Sequence, residues 1–470
     1  MQKQPLSKQQ TIGLVAMFVA VLVIANDFTA LSVALPAIEI AFSSDVTTVQ
    51  WVITGYTLVF GVLIVTGGRL ADMFGRRRIF FIGACIFAGF SMLAGLATDV
   101  WMLIIARGLM GVGGALMWPA VLGMTYSLLP PGREALGGSL IMTACGIGNS
   151  VGPLLGGALT DSASWRWIFF LNLPVALLAM LITWRVVEKD NTDSARERVD
   201  YAGVITLSTG LLALLYVLDI GTDLGWLDGK VIGIFILSAV ALLLFAIIER
   251  RAGDGALMPR DVFTNTAFMA AGIATLLISA IFFASLLYLP QFMSKELGFS
   301  AMKSGAGLLP MMGVFAVVSF ISGSLYERLG ARLIISLGAI LLAVGMYLLS
   351  MLQVASGYVG MVPGMVVLGI GTALFYSSIT TAAITAVDDA RASLAGAIVY
   401  MFQVAGGSIG LGVNTALVVT GATFVKGIQT AFLLDVVLAI CGLLVVIFFV
   451  GGRLKRGQWH KLVHRHRAHG

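Results

Sequence analysis

Apolar runs of about 20 residues, separated by short polar turns, recur along the whole chain. They fall near 11–34, 51–70, 79–97, 101–121, 136–158, 167–184, 202–220, 231–248, 268–289, 305–325, 334–352, 359–379, 395–419 and 430–450. A run of this length spans the hydrocarbon core of a bilayer as one α-helix, so the pattern predicts an all-α polytopic membrane protein with fourteen spans. The first run lacks a short apolar core followed by a small-residue cleavage site, and a retained helix is expected there. Composition agrees: 11% of residues are charged and the mean hydropathy is +0.99, against about 25% charged in soluble domains. The 56 glycines suit helices that pack closely in lipid, where no hydrophobic force draws them together.

Orientation follows from the basic residues. With the N-terminus inside, Arg76, Arg77, Arg78, Arg196, Arg198, Arg250, Arg251 and the tail from Arg453 to Arg467 are all cytoplasmic. Outside stand only Arg166, Lys230, Lys295, Lys303 and Lys426, and Arg107 lies within a helix. The positive-inside rule then predicts a multi-pass protein of the cell membrane with both termini cytoplasmic. Topology accounts for the net charge of +6, and no nucleic-acid partner is expected. Cys85, Cys145 and Cys441 sit in apolar runs as packing residues, which indicates neither a disulfide framework nor a zinc cluster. The tail "HKLVHRHRAHG" holds every histidine and reads as a basic end near anionic lipid. No phosphate-binding lysine loop, HExxH pair or paired catalytic carboxylates occurs, so neither an enzyme nor an ATP-driven pump is expected, and no metal or cofactor is called for.

The chain repeats itself. "GRLADMFGRRRIFFIG", from residue 68, returns as "GSLYERLGARLIISLG", from residue 323, matching Asp72 with Glu327, Gly75 with Gly330 and Arg77 with Arg332. "REALGGSL" and "GNSVGPLLGGAL" likewise return as "RASLAGAI" and "GGSIGLGVNTAL". Two homologous halves are the signature of a secondary transporter that rocks about a central site. The seventh and eighth runs have no counterpart, which predicts two six-helix bundles with a two-helix insertion. The expected division is an N-terminal bundle over 1–187, linkers with the inserted helices over 188–261, a C-terminal bundle over 262–452 and a basic cytoplasmic tail over 453–470.

Five segments together resemble the major facilitator superfamily, in its fourteen-helix drug:proton antiporter branch of the multidrug efflux type. "GRLADMFGRRR" is similar to that family's motif A, "LIIARGLMGVGGA" to motif B and "GNSVGPLLGGAL" to the antiporter motif C, while "NDFTALSVALP" and "WRWIFFLNLP" resemble segments of the same branch. The resemblance covers essentially the whole chain and implies the major facilitator fold.

Motif A sets an acid and three arginines around a tight turn. Asp72 can pair with an arginine or cap a neighbouring helix N-terminus, so Asp72, Gly75, Arg76 and Arg77 can latch the cytoplasmic helix ends in one conformation and release them in another, with Asp72 and Arg77 as the expected carriers of the latch and Arg78 as a topology anchor. Gly148, Gly152 and Gly156 recur every four residues on one helix face, allowing close backbone approach, and Pro153 bends the helix. The resemblance implies that this helix lines the interface between bundles and governs leak and exchange direction. Leu411 stands where Pro153 stands in the first half, so the two halves are not equivalent here.

Asp27 is the acid in the first run, and a charge at mid-membrane costs about 2.5 to 3.5 kcal/mol on insertion scales. With the histidines confined to the tail, Asp27 is the best proton carrier; Asp219 and Asp435 fall closer to the outer ends of their runs. Arg107, about 9 Å into its run from the outer end, is the expected partner, because the resemblance makes the first and fourth helices neighbours. Tyr56, Trp118, Tyr288, Tyr376, Tyr400 and Phe402, with Gln403 and Asn414 as sparse polar contacts, are candidates to line a substrate cavity. The expected activity is proton-coupled efflux of amphipathic, cationic or neutral, organic compounds by alternating access, in a monomer whose partners are small-molecule substrate, protons and the lipid bilayer. A dedicated exporter of one metabolite, antibiotic or lipid-like molecule is the same-class alternative, and a transport-inactive receptor or scaffold the different-class one.

Overall fold

The computed structural model describes residues 5–44, 46–130, 132–188, 200–225, 227–252, 262 and 264–450. Most of both linkers and the whole basic tail, with its histidines, lie outside the described residues. The helices run in order as α1 (Lys8–Phe42), α2 (Val46–Phe74), α3 (Arg76–Gly95), α4 (Val100–Ser127), α5 (Glu134–Ser162), α6 (Arg166–Val186), α7 (Tyr201–Leu224) and α8 (Gly229–Ala252). After the second linker come α9 (Thr266–Lys295), the short α10 (Ala301–Ala306), α11 (Leu309–Leu329), α12 (Ala331–Ser350), α13 (Gly357–Ile384), α14 (Ala392–Thr420) and α15 (Phe424–Phe449). By length and composition 13 described segments suffice to cross a membrane. The remaining expected span is α7, whose apolar stretch is the shorter Tyr201–Val217.

Local chemistry sets the helix ends. Ser7 opens α1 with a capping box: its Oγ accepts from the Gln10 amide at 3.1 Å while its own amide donates to Gln10 Oε1 at 2.9 Å. Asp99 caps α4 by accepting from the Met102 amide at 2.9 Å. Gly75, at φ 96°, makes the one-residue turn between α2 and α3, and Gly330, at φ 88°, makes the equivalent turn between α11 and α12. A side chain at either position would force a left-handed backbone, so the repeat keeps glycine at both.

α1 to α6 form one bundle, and α9 with α11 to α15 form the other. Within the first, α2 and α3 pack on α4 and α1 packs on α5; within the second, α12 packs on α13 and α9 on α14. The bundles meet where α5 lies against α11 and α14 lies against α2. Because α11 repeats α2 and α14 repeats α5, these are the same contact made twice, as a pseudo-twofold arrangement requires. This is the major facilitator fold with two added helices. α7 and α8 pack on each other, joined by the Ser238 hydroxyl donating to Gly210 O at 2.9 Å, and α7 leans on α2 and α14, with Trp51 and Tyr216 rings 5.9 Å apart. Leu237, Leu243 and Leu244 of α8 are exposed, a face suited to lipid.

Candidate functional site

Asp27 and Arg107 are brought together inside the first bundle. Both are almost wholly buried, and Arg107 Nη1 donates to Asp27 Oδ2 at 2.5 Å. Arg107 Nε donates to Val52 O at 2.9 Å, and the guanidinium lies over the Tyr56 ring, 4.3 Å from its centroid. The other carboxylate oxygen, Oδ1, accepts from Asn172 Nδ2 at 3.0 Å. Asn172 also donates to Ser91 Oγ at 3.1 Å, whose hydroxyl donates to Phe169 O at 2.8 Å. Five helices, α1, α2, α3, α4 and α6, thus converge on one carboxylate. A buried ion pair recovers its desolvation cost only when its remaining donors and acceptors are satisfied, and this network supplies them. Asn172 and Ser91 were absent from the sequence expectations. The available signal was Asn172, a lone amide in an apolar run within the "WRWIFFLNLP" segment.

The motif C glycines face α1 and not the other bundle. A Cβ on Gly148 would lie 2.8 Å from Ala25 Cβ and 3.0 Å from the Asn26 amide; on Gly152 it would meet Thr29 Oγ1, and on Gly156 the carbonyl of Ala30. The glycine face therefore seats the turns of α1 on either side of Asp27 directly against the α5 backbone. Asn149, Ser150 and Pro153 of the same motif look toward the second bundle, with Pro153 near Gly305 of α10. α5 itself packs on α11 at the inter-bundle interface, as the resemblance implied, while Gly148, Gly152 and Gly156, having no side chains, serve the closer contact within the bundle.

The bundles are sealed at the face that bears the Gly75 turn. Asp72 Oδ2 accepts from the Leu394 amide at 2.9 Å, in the first turn of α14, which ties one bundle to the other. Asp72 Oδ1 pairs with Arg76 Nε at 3.1 Å, and Arg76 Nη1 donates to Gly123 O at 3.2 Å. Asp72 thus both pairs with an arginine and caps the N-terminus of a neighbouring helix, as expected, but the arginine is Arg76 and not Arg77. The Gly75 turn brings Arg76, the first residue of α3, back beside Asp72 near the end of α2, whereas Arg77 Nη2 reaches α6 and donates to Trp184 O at 2.8 Å. Tyr126 of α4 and Thr381 of α13 add a hydroxyl contact of 3.1 Å to the seal.

Toward the opposite face the bundles part around a cavity of about 450 Å³. Thr29, Asn149, Ser150 and Pro153 line it from one bundle; Leu286, Pro290, Gln291, Ser304 and Met312 are among those lining it from the other, and no charged residue is among them. Of the eight residues expected to line a substrate cavity, Trp118, Tyr400 and Gln403 come together deeper between the bundles around a second, far smaller void, with Trp118 and Tyr400 ring centroids 4.7 Å apart. The others lie elsewhere in this conformation. Tyr56 covers Arg107. Tyr288 OH is 2.6 Å from Thr415 Oγ1, and Tyr376 OH donates to Ser279 Oγ at 3.0 Å. Phe402 packs against Gly272, and Asn414 is wholly buried and donates to Asp435.

The family model described as Major Facilitator Superfamily matches residues 17–411 and 273–463. Puromycin resistance protein pur8 of Streptomyces alboniger is 34% identical over 420 residues, covering 87% of this chain and 82% of the relative. Multidrug resistance protein Stp of Mycobacterium tuberculosis is 34% identical over 412 residues, covering 87% and 76%. Among solved structures, the human organic anion transporter MFSD10 (TETRAN) superposes with a TM-score of 0.68 at 13% identity, covering 94% of this chain and 100% of that one; at that identity the likeness speaks for the fold alone.

Proposed function

Because the chain belongs to the Major Facilitator Superfamily, a family of transporters, we propose that it exports amphipathic, neutral or cationic, organic compounds across the cell membrane in exchange for protons. The observation that carries this reading is the buried Asp27–Arg107 pair, set on the wall of α1 behind Thr29 of the cavity. The drug-resistance names of the relatives support efflux as the direction. With the basic Gly75 face in the cytoplasm, the conformation described here is closed inside and open outside.

The cavity volume falls within the range of about 300 to 1,000 Å³ common to small-molecule sites, and its hydroxyls and amides offer orientation without demanding charge. Asp27 is sealed from that cavity, so the proton acts through the protein and not by contact with the substrate. In the ionised form the carboxylate holds Arg107 and binds α1 to α4. A proton arriving from outside cancels that charge, releases Arg107 toward Val52 O and the Tyr56 face, and loosens α1. Since α1 rides on the motif C glycines, the change passes to α5, which forms the bundle interface with α11. Opening of the Gly75 face then requires breaking the Asp72 contact to Leu394 and exposes the cavity to the cytoplasm.

A second reading, a dedicated exporter of one compound, is favoured by the relatives named for single antibiotics, among them the Tetracenomycin C resistance and export protein of Streptomyces glaucescens. A transport-inactive scaffold has no use for a five-helix network around a mid-membrane acid. Proteoliposomes holding the full chain and a pH-sensitive dye test the proposal: ethidium added on one side should drive proton movement in the opposite direction. Ethidium movement without any proton flux would refute coupling, and a response confined to one compound in a panel of unrelated cations would favour the dedicated exporter.

A further inference from the structure

A second acid is buried in the other bundle. Asp435 of α15 is 0% exposed, eleven residues from the helix start at Phe424 and hence about 16 Å along its axis at 1.5 Å per residue. The sequence expectation placed it near the outer end of a run starting at 430; the helix begins earlier and sets it near mid-depth. Its Oδ1 accepts from Asn414 Nδ2 at 3.0 Å. Its Oδ2 and Asn414 Oδ1 are both buried and have no hydrogen-bond partner among the described residues.

The first bundle also joins a buried aspartate to an asparagine, Asp27 to Asn172, but adds Arg107. Among the described residues Asp435 has no such cation. Three helices pack on α15, namely α9, α12 and α14. Lys295 is the one charged residue of α9 and lies at its last position, Arg332 is the one of α12 and lies in its first turn, and α14 has none. On α15 itself Lys426 stands about 13 Å away by the same rise per residue. The titratable hydroxyl near Asp435 is Tyr288 of α9, which bonds Thr415 beside Asn414, while Tyr347 and Cys441 are exposed.

An ionised carboxylate in this setting has one amide donor and no counter-ion, and burial of such a charge costs several kcal/mol. A proton on Oδ2 removes the charge and converts one of two orphan acceptors into the donor that both lack. The pair is also placed to sense the cavity: α9 presents Tyr288 toward Asn414's neighbour while Leu286, Pro290 and Gln291 of the same helix line the cavity.

We propose that Asp435, with Asn414, is a second proton-binding site, loaded in this conformation and emptied when the bundles rearrange, so that each bundle carries one exchangeable proton. The inference rests on the proton-coupled reading above. Infrared spectroscopy of the full-length protein tests its first half: the wild type and Asp27→Asn should show a carboxylic-acid C=O band at neutral pH that shifts on ¹³C-aspartate labelling and is missing from Asp435→Asn. The labelled wild type alone decides the matter if that variant does not fold, because no protonated-aspartate band at neutral pH would overturn the assignment. Proton counting in ethidium-loaded proteoliposomes tests the second half, with Asp435→Asn expected to exchange one proton fewer per ethidium. An unchanged count would overturn the inference while leaving Asp27 coupling intact, whereas a wild type that moves no protons fails both readings.

Discussion

Replacing Asp27 by Asn keeps the side-chain shape and Oδ1 as an acceptor for Asn172, but removes the charge that Arg107 faces. Arg107 is then a buried guanidinium left with Val52 O, the weak acceptor Met110 Sδ and the Tyr56 and Phe169 rings. Breaking one side of a buried pair costs about 3–5 kcal/mol, whereas replacing both partners by neutral groups of similar size is often close to neutral. The double variant Asp27→Asn/Arg107→Gln should therefore regain most of the stability that Asp27→Asn loses, and a double-mutant cycle should give a coupling energy on the order of 3 kcal/mol. Thermal unfolding in detergent, followed by size-exclusion chromatography, reads the stability, and ΔpH-driven ethidium uptake into inverted vesicles reads function. Transport against a gradient should be lost in both variants, because the double variant restores packing and not the proton site. Additive stability losses would show that the pair is not an energetic unit, and gradient-driven uptake by Asp27→Asn would remove Asp27 from coupling altogether.

Asn172→Leu should leave Asp27 Oδ1 without its donor, at about 1.5–3 kcal/mol for a hydrogen bond to a charged group, so transport should drop roughly tenfold or more while the protein still inserts; wild-type rates would make Asn172 a packing residue. Gly152→Ala drives a methyl into Thr29 Oγ1, an overpacking cost of about 1–3 kcal/mol, and should slow transport and alter proton leak, as measured in dye-loaded vesicles. Asp72→Ala removes the acceptor for the Leu394 amide and should shift the conformational balance away from the closed Gly75 face by about 1–2 kcal/mol, a factor of 5–30; unchanged distances between spin labels across that face would contradict this. Cysteines along residues 205–216 of α7 should react equally with and without substrate, and protection there would put α7 in the translocation path.

Most of the fold was legible because lipid leaves the chain few options. Every backbone group must be satisfied within its own segment, so length and hydropathy alone mark the spans, and the duplicated Gly75 and Gly330 turns reveal the two halves. The pairing of Asp27 with Arg107 was legible because so few charges lie in the runs and the family resemblance makes the first and fourth helices neighbours. Asn172 and Ser91 were not: both are small polar residues in apolar runs, 145 and 64 positions from Asp27 in the chain, and only the packing of α6 and α3 brings them together. Tyr56 was read as a cavity aromatic because its position on α2 is apolar by pattern, while the ring's cation-facing role depends on which side α4 presents. The Arg76 and Arg77 partners differ by one helical position, about 100° around the axis, which neither composition nor spacing resolves without the neighbouring helices.

The two halves repeat one scaffold and differ where chemistry is placed on it. Gly75 and Gly330 keep the turn in both, and the α5 and α14 helices make equivalent contacts across the interface. Yet Pro153 has Leu411 for its counterpart, and among the described residues the buried acid has a cation in the first bundle and only an amide in the second. A symmetric pair of bundles can rock with equal ease toward either face, which gives alternating access but no preferred order of events. In the proposed cycle asymmetric charge supplies the order: a proton on Asp27 would dissolve an ion pair and change how α1 is held, while a proton on Asp435 would satisfy orphan acceptors and leave a neutral, well-bonded core. On that proposal the two acids would respond to the same ligand with opposite effects on local packing, one bundle loosening as the other tightens. A cycle built on both can couple the direction of rocking to the proton gradient without any charged group touching the substrate.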